Sequence, residues 1–483
     1  MKRKMDKIEW LMDSVSRNVL KVVFLIILVA SLAIKAMYSF ADAPYFENNN
    51  WIDWLMAIGV AVFYGIIIIK RDWIQEKINY KYCFMAFILM AVIYIILVPL
   101  IPFSDMAAIY KGAVDFSTFN FKALLANDYW SVFPGNILLA VFWGILLIPL
   151  PKCLLTVKVV NALLVYIIAM LTRKVAKELG VKYYNLAYIV VLTFLPLFIY
   201  INHVYFDLPV IVLCMCAVYL YVKKHNIIGS FILLGIGRYL RQSVSIFMLA
   251  IFIVELNNIR KKENGNNIKK ELLKVIFALA IFLGIGHGFS KLMYNEIYSG
   301  KDIKAYPAWN QIYIGINEAE FGFMDGDFSY DRSLDDIIER VESYGPKRMA
   351  KILTKKTFWL WSQGTYQAER YGFGNDVVKP EDKFEYETIV TGHLLNSGQI
   401  LRKLLNSLMR AQYLLLFAGT IYTFWKERNM DKYRLFYYII FATFLSMLFY
   451  ELKSRYILQL APLMVIFAIR SIAKIDKKSL KSF

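Results

Sequence analysis

The chain has 483 residues, 59% of them hydrophobic and 16% aromatic, and apolar runs longer than a soluble core helix recur from Leu20 almost to the C-terminus. This composition excludes a soluble globular protein and predicts an all-α polytopic membrane protein. The formal charge of +19 does not indicate nucleic acid as a partner, because the Lys and Arg residues form short clusters between the apolar runs, as is typical of contact with membrane lipid. The four cysteines include no CxxC pair, which argues against a disulfide framework and a zinc site.

The apolar pattern begins with a run that follows a basic N-terminus and is predicted to span the membrane from about Leu20 to Ser39. No small-residue cleavage site follows it, so we interpret it as a retained helix and not as a signal peptide. Further runs bring the prediction to about twelve transmembrane helices, of which the last ends near Ile469.

One additional apolar run, from Asn136 to Leu150, decides the sidedness of everything that follows it. Prolines bound this run on both sides. If it crossed the membrane, the cluster Arg260-Lys261-Lys262 and the Lys-rich C-terminal tail would lie outside, against the positive-inside rule. We therefore predict a re-entrant or interfacial helix at residues 136–150, with both termini cytoplasmic.

This topology divides the chain into three parts. Residues 1–290 form an N-terminal transmembrane domain, which carries an outer loop at residues 102–133. Residues 291–405 form a mixed extracytoplasmic domain, and residues 406–483 form the C-terminal transmembrane helices.

The extracytoplasmic domain contains two predicted amphipathic helices. Ser333 opens the first one, and Gly345-Pro346 ends it. The second runs from Lys347 to Trp361 and is basic, which favours a position at a membrane surface. We expect Trp359 on this helix to anchor in the membrane interface.

Asp105 stands at the outer end of the third predicted span, and aromatic and Pro-Gly residues lead from it into the re-entrant helix. This layout is typical of a pocket at the membrane boundary and suits a carboxylate that acts as general base. Asp is also a preferred N-cap, and capping of a helix that begins near Met106 explains the position equally well. Tyr110 and Tyr129 of the same loop are candidates for contact with substrate.

Asp207 is a second catalytic candidate, because it opens the turn into a later span and an ionisable residue at a membrane mouth is commonly functional. An N-cap before Pro209 explains Asp207 about as well.

Three arginines are predicted to bind a lipid-linked phosphate. Arg238 and Arg241 occupy a break between two apolar runs, and Arg455 lies with Lys453 at the outer end of the last span. Cations on the outer side oppose the positive-inside trend, and a lipid-linked phosphate is the anion that guanidinium groups hold best. For Lys453 we favour the alternative, a salt bridge to Glu451 or contact with lipid headgroups.

Trp309, Asn310 and Gln363 of the extracytoplasmic domain are candidates for sugar recognition, since aromatic faces and amides match the CH patches and hydroxyls of a pyranose. The residues indicate no metal site, and they indicate no cofactor either.

Several short motifs occur in an order that resembles the GT-C superfamily of membrane glycosyltransferases. They are Ser104-Asp105-Met106-Ala107, Phe133-Pro134-Gly135, Phe206-Asp207-Leu208-Pro209, Leu240-Arg241-Gln242-Ser243 and Lys453-Ser454-Arg455-Tyr456. More narrowly, the chain is similar to bacterial protein-mannosyltransferase-like and aminoarabinose-transferase-like enzymes and to relatives that decorate cell-wall polymers. The resemblance implies a GT-C-like fold, a polyprenyl-phosphate sugar donor, and a catalytic Asp in the first outer loop, which matches Asp105.

The sequence departs from that family in two respects. The loop with the catalytic Asp follows the third span and not the first, so the first two spans would be an N-terminal addition. The acidic pair that is frequent in this loop is a lone Asp here, because Met106 follows Asp105, and Asp115 and Asp128 are left as alternative second carboxylates.

These observations together predict transfer of a monosaccharide from polyprenyl phosphate to an extracytoplasmic cell-envelope glycopolymer, lipid or protein, with inversion at the anomeric carbon. One rival is a polysaccharide polymerase or ligase that uses a diphosphate-linked oligosaccharide. Another is a flippase without chemistry, which would place ionisable residues deep within its spans.

Overall fold

The computed structural model describes residues 2–38, 43–261, 265–292, 305–323, 328–374, 382–395, 398–427 and 431–473. Helices dominate these residues, and the strands among them form one two-stranded antiparallel sheet. The Lys-rich tail that entered the topology prediction lies outside the described residues.

Within the described residues, 21 α-helical segments follow one another along the chain. Up to residue 178 they are α1 (Lys2–Ser31), α2 (Trp51–Ile69), α3 (Arg71–Lys77), α4 (Tyr80–Leu97), α5 (Asp105–Ser117), α6 (Phe121–Ala126), α7 (Tyr129–Val132), α8 (Ile137–Leu147) and α9 (Leu154–Glu178). From residue 184 to 292 they are α10 (Tyr184–Thr193), α11 (Leu195–Ile199), α12 (Asp207–Lys224), α13 (Ile227–Leu240), α14 (Ser245–Arg260) and α15 (Gly265–Leu292). The remainder are α16 (Trp309–Gly315), α17 (Leu334–Ser362), α18 (Ala368–Phe373), α19 (Ile400–Lys426), α20 (Arg434–Phe449) and α21 (Ala461–Ile472).

Six helical stretches within the described residues are long and apolar enough to cross a membrane, which makes this a multi-pass membrane protein. They are Met12–Ser31, Trp51–Ile69, Tyr80–Leu97, Leu154–Glu178, Gln242–Arg260 and Ser454–Ile472. A seventh results if α10 and the helix after it, bent by 52° at their junction, form one span. The structure does not confirm the predicted count of about twelve, in part because some predicted spans form helices too short to cross, such as the 14 residues of α13.

The run predicted to be re-entrant or interfacial forms α8, which has 11 residues. At about 1.5 Å per residue α8 is far shorter than a bilayer core of about 30 Å. It packs closely against α5, and this packing requires Gly112 of α5, because a side chain there would collide with Ala140 of α8 and with Trp130 of α7. Gly144 of α8 likewise lies against Phe116 of α5.

A β-hairpin replaces the end of the first predicted span. Helix α1 ends at Ser31, and β1 (Ile34–Tyr38) then pairs with β2 (Pro44–Asn48). The prediction of a span to Ser39 is therefore wrong, because a short apolar run is compatible with both a helix end and a strand.

Helix α17 contains both predicted amphipathic helices. Ser333 forms a capping box with Asp336, and the helix kinks at Gly345, whose φ of 64° breaks the helical geometry. Trp359 is fully buried and donates its indole N–H to the Met37 carbonyl oxygen at 3.2 Å. The expectation that Trp359 anchors in the membrane interface is therefore wrong, since its partner is the hairpin.

Candidate active site

A cavity of about 940 Å³ lies where one end of the helical bundle meets residues 305–374. Asp105 lines it from the start of α5, Arg238 and Arg241 from the junction of α13 and α14, and Arg455 from the segment before α21. Four of the residues that the sequence singled out therefore share one space, although 350 positions separate the first from the last.

Asp105 is the first residue of α5, and the cap position belongs to Ser104, whose side chain makes no capping bond. The Asp105 Oδ2 atom accepts a hydrogen bond from the Tyr205 hydroxyl at 3.3 Å. The Asp105 side chain therefore does not act as the N-cap of α5. Ser104 has a φ of 51°, and a non-glycine residue in this strained region is frequent beside functional groups.

Asp207 lies behind the cavity wall and is 2% exposed. Its Oδ2 atom is 3.0 Å from His203 Nε2, and its Oδ1 atom accepts from Arg241 Nη1 at 3.2 Å. The carboxylate is occupied by these two partners and does not act as a helix cap. Asp207 does not line the cavity, and its bond to Arg241 helps to fix the guanidinium group that does.

Arg241 and Arg455 are buried, and aromatic rings flank both. The Arg241 guanidinium carbon lies 5.0 Å from the ring centre of Phe206 and 4.7 Å from that of Tyr456. The Arg455 carbon lies 4.7 Å from the Tyr371 ring centre.

Each of these guanidinium groups keeps a buried nitrogen without a hydrogen-bond partner among the described residues, Nη2 of Arg241 and Nε of Arg455. Two arginines that line one cavity favour an anion there.

Lys453 also lines the cavity but is paired. Its ammonium lies 2.6 Å from the Glu451 carboxylate, which also accepts from the Tyr456 hydroxyl at 2.6 Å. Burial opposes ionisation of Glu451, but the Lys453 charge, the Tyr456 hydrogen bond and Arg455 outweigh it and hold the pKa of the carboxyl below its ordinary value. The predicted salt bridge of Lys453 to Glu451 is confirmed.

The predicted substrate-binding residues do not converge on this cavity. Tyr110 donates to the Lys152 carbonyl at 3.4 Å, and Asn310 binds the backbone of Ser329. Trp309 is 39% exposed and does not line the cavity, and Gln363 is buried beside Glu369.

Tyr129 contacts the wall of the cavity, since its hydroxyl accepts from Asn136, a lining residue, at 2.6 Å.

Three aromatic residues that no sequence pattern had indicated line the cavity together with Phe133; they are Tyr306, Phe328 and Tyr330. Tyr306 stacks on Tyr330 with ring centres 4.5 Å apart and an interplanar angle of 9°. The ring centres of Phe133 and Phe328 lie 5.8 Å and 4.9 Å from that of Tyr306. Only the proximity of Phe133 to the Pro-Gly turn could have suggested this aromatic wall from the sequence.

No group of three His, Cys, Asp or Glu side chains among the described residues is placed to hold a metal ion. Neither Asp115 nor Asp128, the alternative second carboxylates, lines the cavity. Comparison of the chain with protein families, with curated proteins and with solved structures found no match.

Proposed function

We propose that this protein is a glycosyltransferase that moves a monosaccharide from polyprenyl phosphate to a hydroxyl of a cell-envelope acceptor. The observation that carries the proposal is the cavity itself, which Asp105 lines together with Arg241 and Arg455. Such a displacement needs a carboxylate that can take a proton and fixed cations that can bind a phosphate.

The chemistry follows from these roles. Asp105 takes the proton of the acceptor hydroxyl while the acceptor oxygen forms a bond to the anomeric carbon. The bond from that carbon to the phosphate oxygen breaks, its electron pair stays on the phosphate, and Arg241 and Arg455 stabilise the added charge. A single displacement inverts the anomeric configuration. Tyr205 donates to Asp105 and orients the carboxylate.

The position of the cavity supports a lipid-linked donor. Ile246 and Met447 line it, and they belong to α14, part of a candidate span, and to the apolar helix α20. A phosphate held by the arginines would therefore lie close to apolar helix surface along which a polyprenyl chain can extend. On this proposal the cavity opens to the extracytoplasmic side, because the basic clusters of the short loops then face the cytoplasm.

One observation favours a variant of this function. The cavity is bordered by five basic side chains, which is enough charge for a diphosphate; they are Arg238, Arg241, Arg370, Lys453 and Arg455. A polymerase or ligase that uses a diphosphate-linked oligosaccharide is therefore the second candidate.

The test is transfer of radiolabelled sugar by the purified full-length protein in detergent. We expect turnover of a synthetic polyprenyl-phosphate monosaccharide, with release of polyprenyl phosphate. Turnover of only the diphosphate-linked oligosaccharide would select the second candidate. If neither donor is cleaved or transferred while the protein remains folded, the glycosyltransferase proposal is wrong.

A further inference from the structure

The cavity beside Asp105 contains an aromatic region to which the mechanism above assigns no role. Its volume of about 940 Å³ is near the upper end of the range for ligand sites, which leaves room for an acceptor beside the head of a lipid-linked sugar. The region is the aromatic wall, formed by Phe133, Tyr306, Phe328 and Tyr330. The rings that flank the phosphate-binding arginines are different ones.

Tyr330 has one ring face that is open. It stacks on Tyr306 with ring centres 4.5 Å apart, so the other face is covered. Among the described residues no second ring covers Tyr330, and it is 46% exposed although it lines the cavity. Tyr371, which lines the same cavity, is only 7% exposed. A large ring that stays open in a cavity favours a ligand with an apolar face.

The aromatic wall is continuous with the carboxylate that is proposed as the base. The ring centre of Phe133 lies 5.2 Å from that of Tyr129 and 5.8 Å from that of Tyr306. The Tyr129 hydroxyl in turn lies close to Asp105, because burial and then the charge of this carboxylate raise the pKa of Tyr129. A molecule that lies on the aromatic wall can therefore extend a hydroxyl towards Asp105.

The charges around the cavity narrow the class of this ligand. Five basic and two acidic side chains of the described residues border it, and Glu451, one of the acids, already pairs with Lys453 at 2.6 Å. Grouped rings also bind cations such as quaternary ammonium groups, but this excess of positive charge opposes a cation. A neutral pyranose fits, because its C–H face stacks on a ring and its rim hydroxyls bond with tyrosine hydroxyls.

We propose that the aromatic wall is the acceptor subsite and holds a pyranose ring, which makes the acceptor a glycan and not a peptide. The pyranose stacks on the open face of Tyr330, and one of its hydroxyls reaches Asp105. This inference rests on the proposed function. Its placement agrees with that function, since Tyr306 and Tyr330 belong to residues 305–323 and 328–374, whereas Ile246 and Met447 line the cavity from the apolar helices assigned to the donor.

Saturation-transfer NMR of the purified full-length protein in detergent, without any donor, tests the subsite. The probes are the methyl pyranosides of glucose, galactose, mannose and N-acetylglucosamine, with glycerol and uridine for comparison. We expect saturation of the ring C–H protons of at least one pyranoside, and none of glycerol. Tyr330→Ala should weaken binding of that pyranoside about tenfold, whereas Tyr330→Phe keeps the ring and most of the affinity. Tyr386→Ala is the matched control, because Tyr386 is 48% exposed and does not line the cavity.

The proposal is wrong if the folded wild-type protein saturates no pyranoside, if Tyr330→Ala binds as well as the wild type, or if uridine binds more tightly than every pyranoside. Asp105→Asn should bind the pyranoside as the wild type does, because binding needs no base. With the bound pyranoside as acceptor in the transfer assay, Tyr330→Ala should raise the KM for the acceptor about tenfold and leave the KM for the donor unchanged. Transfer that does not respond to Tyr330→Ala would refute the subsite alone, and Tyr330-dependent binding without any transfer would refute the proposed function alone.

Discussion

Arg241 and Arg455, which line the cavity beside Asp105, lie against aromatic rings. Rings of Phe206, Tyr456 and Tyr371 lie within 5.0 Å of the guanidinium carbons and fix the planes of both groups. Asp207 holds Arg241 from behind. A planar cation fixed in this way needs no reorganisation when a phosphate arrives, which is the condition for efficient stabilisation of a leaving group.

Asp105→Asn is predicted to lower turnover by about two to four orders of magnitude, because the amide keeps the size of the side chain and cannot take the acceptor proton. Membrane abundance and Tm should stay near the wild-type values. Sugar transfer and thermal unfolding are measured on one preparation, with Asp115→Asn, on the same helix but outside the cavity, as the control. Near-normal turnover in Asp105→Asn would remove Asp105 as the base.

Arg241→Ala and Arg455→Ala should weaken donor use by more than tenfold, because each removes a charge-assisted contact to the phosphate. The Lys variants should recover only part of the loss, since an ammonium has no planar fork to stack between the rings. The measurement is kcat/KM for the lipid-linked donor. Full activity of both Ala variants would transfer the phosphate role to other cations.

Asp207→Asn should behave differently from Asp105→Asn. The substitution leaves Arg241 buried without its counter-ion, and breaking a buried ion pair costs about 3–5 kcal/mol. We therefore expect a lower Tm together with a higher KM for the donor. A loss of kcat alone at unchanged Tm would instead make Asp207 a catalytic residue.

At the scale of elements, α17 joins two segments that line the cavity, residues 305–323 and residues 450–456. Lys356 in its second half is 1% exposed and donates to the carbonyl oxygens of Gly315 and Tyr450. The Leu452 amide donates to the Gly322 carbonyl at 2.6 Å, so the segment that carries Lys453 and Arg455 is tied to residues 315–322.

Burial lowers the pKa of Lys356 to about 7, against an ordinary value of 10.5. Between these values the unfolded chain binds a proton that the folded protein does not, so Lys356 makes stability rise with pH through this window and fall towards pH 7. We predict that Lys356→Met, although less stable overall, shows a smaller gain in Tm from pH 7 to pH 9 than the wild type. Lys355→Met, at the exposed neighbouring position, is the control and should retain the wild-type gain. Equal gains in wild type and Lys356→Met would contradict the lowered pKa.

The sequence predicted elements better where the signal was local. The Ser333 capping box and the break at Gly345 are confirmed, because caps and φ-dependent breaks involve residues a few positions apart. The burial of Trp359 was missed, because its contacts join residues hundreds of positions apart, such as Trp359 and Met37. The hairpin was missed although its partners are near in the chain, because a short apolar run is compatible with both a helix end and a strand.

At the scale of the whole molecule, the cavity beside Asp105 lies at one end of the bundle, where the start of α5 meets residues 305–323 and 328–374. Near this end the Ile101 amide donates to the Lys383 carbonyl at 2.8 Å. The sequence could predict that Asp105, Arg241 and Arg455 lie together, because each stands at the end of an apolar run. Tyr306, Phe328, Tyr330 and Tyr371 have no such marker, since their position depends on how residues 305–323 and 328–374 pack.

The last prediction concerns which face of the membrane this end occupies. If the proposed sidedness is right, a single cysteine at Asp335 in a variant without Cys83, Cys153, Cys214 and Cys216 reacts with a membrane-impermeant maleimide in intact cells. A cysteine at Lys77, which is exposed between the second and third candidate spans, should react only after the cells are opened. The physical reason is that the basic cluster containing Lys77 belongs beside the anionic cytoplasmic leaflet. Labelling of the Lys77 position from outside, with Asp335 protected, would reverse the topology and place the Asp105 cavity on the cytoplasmic face.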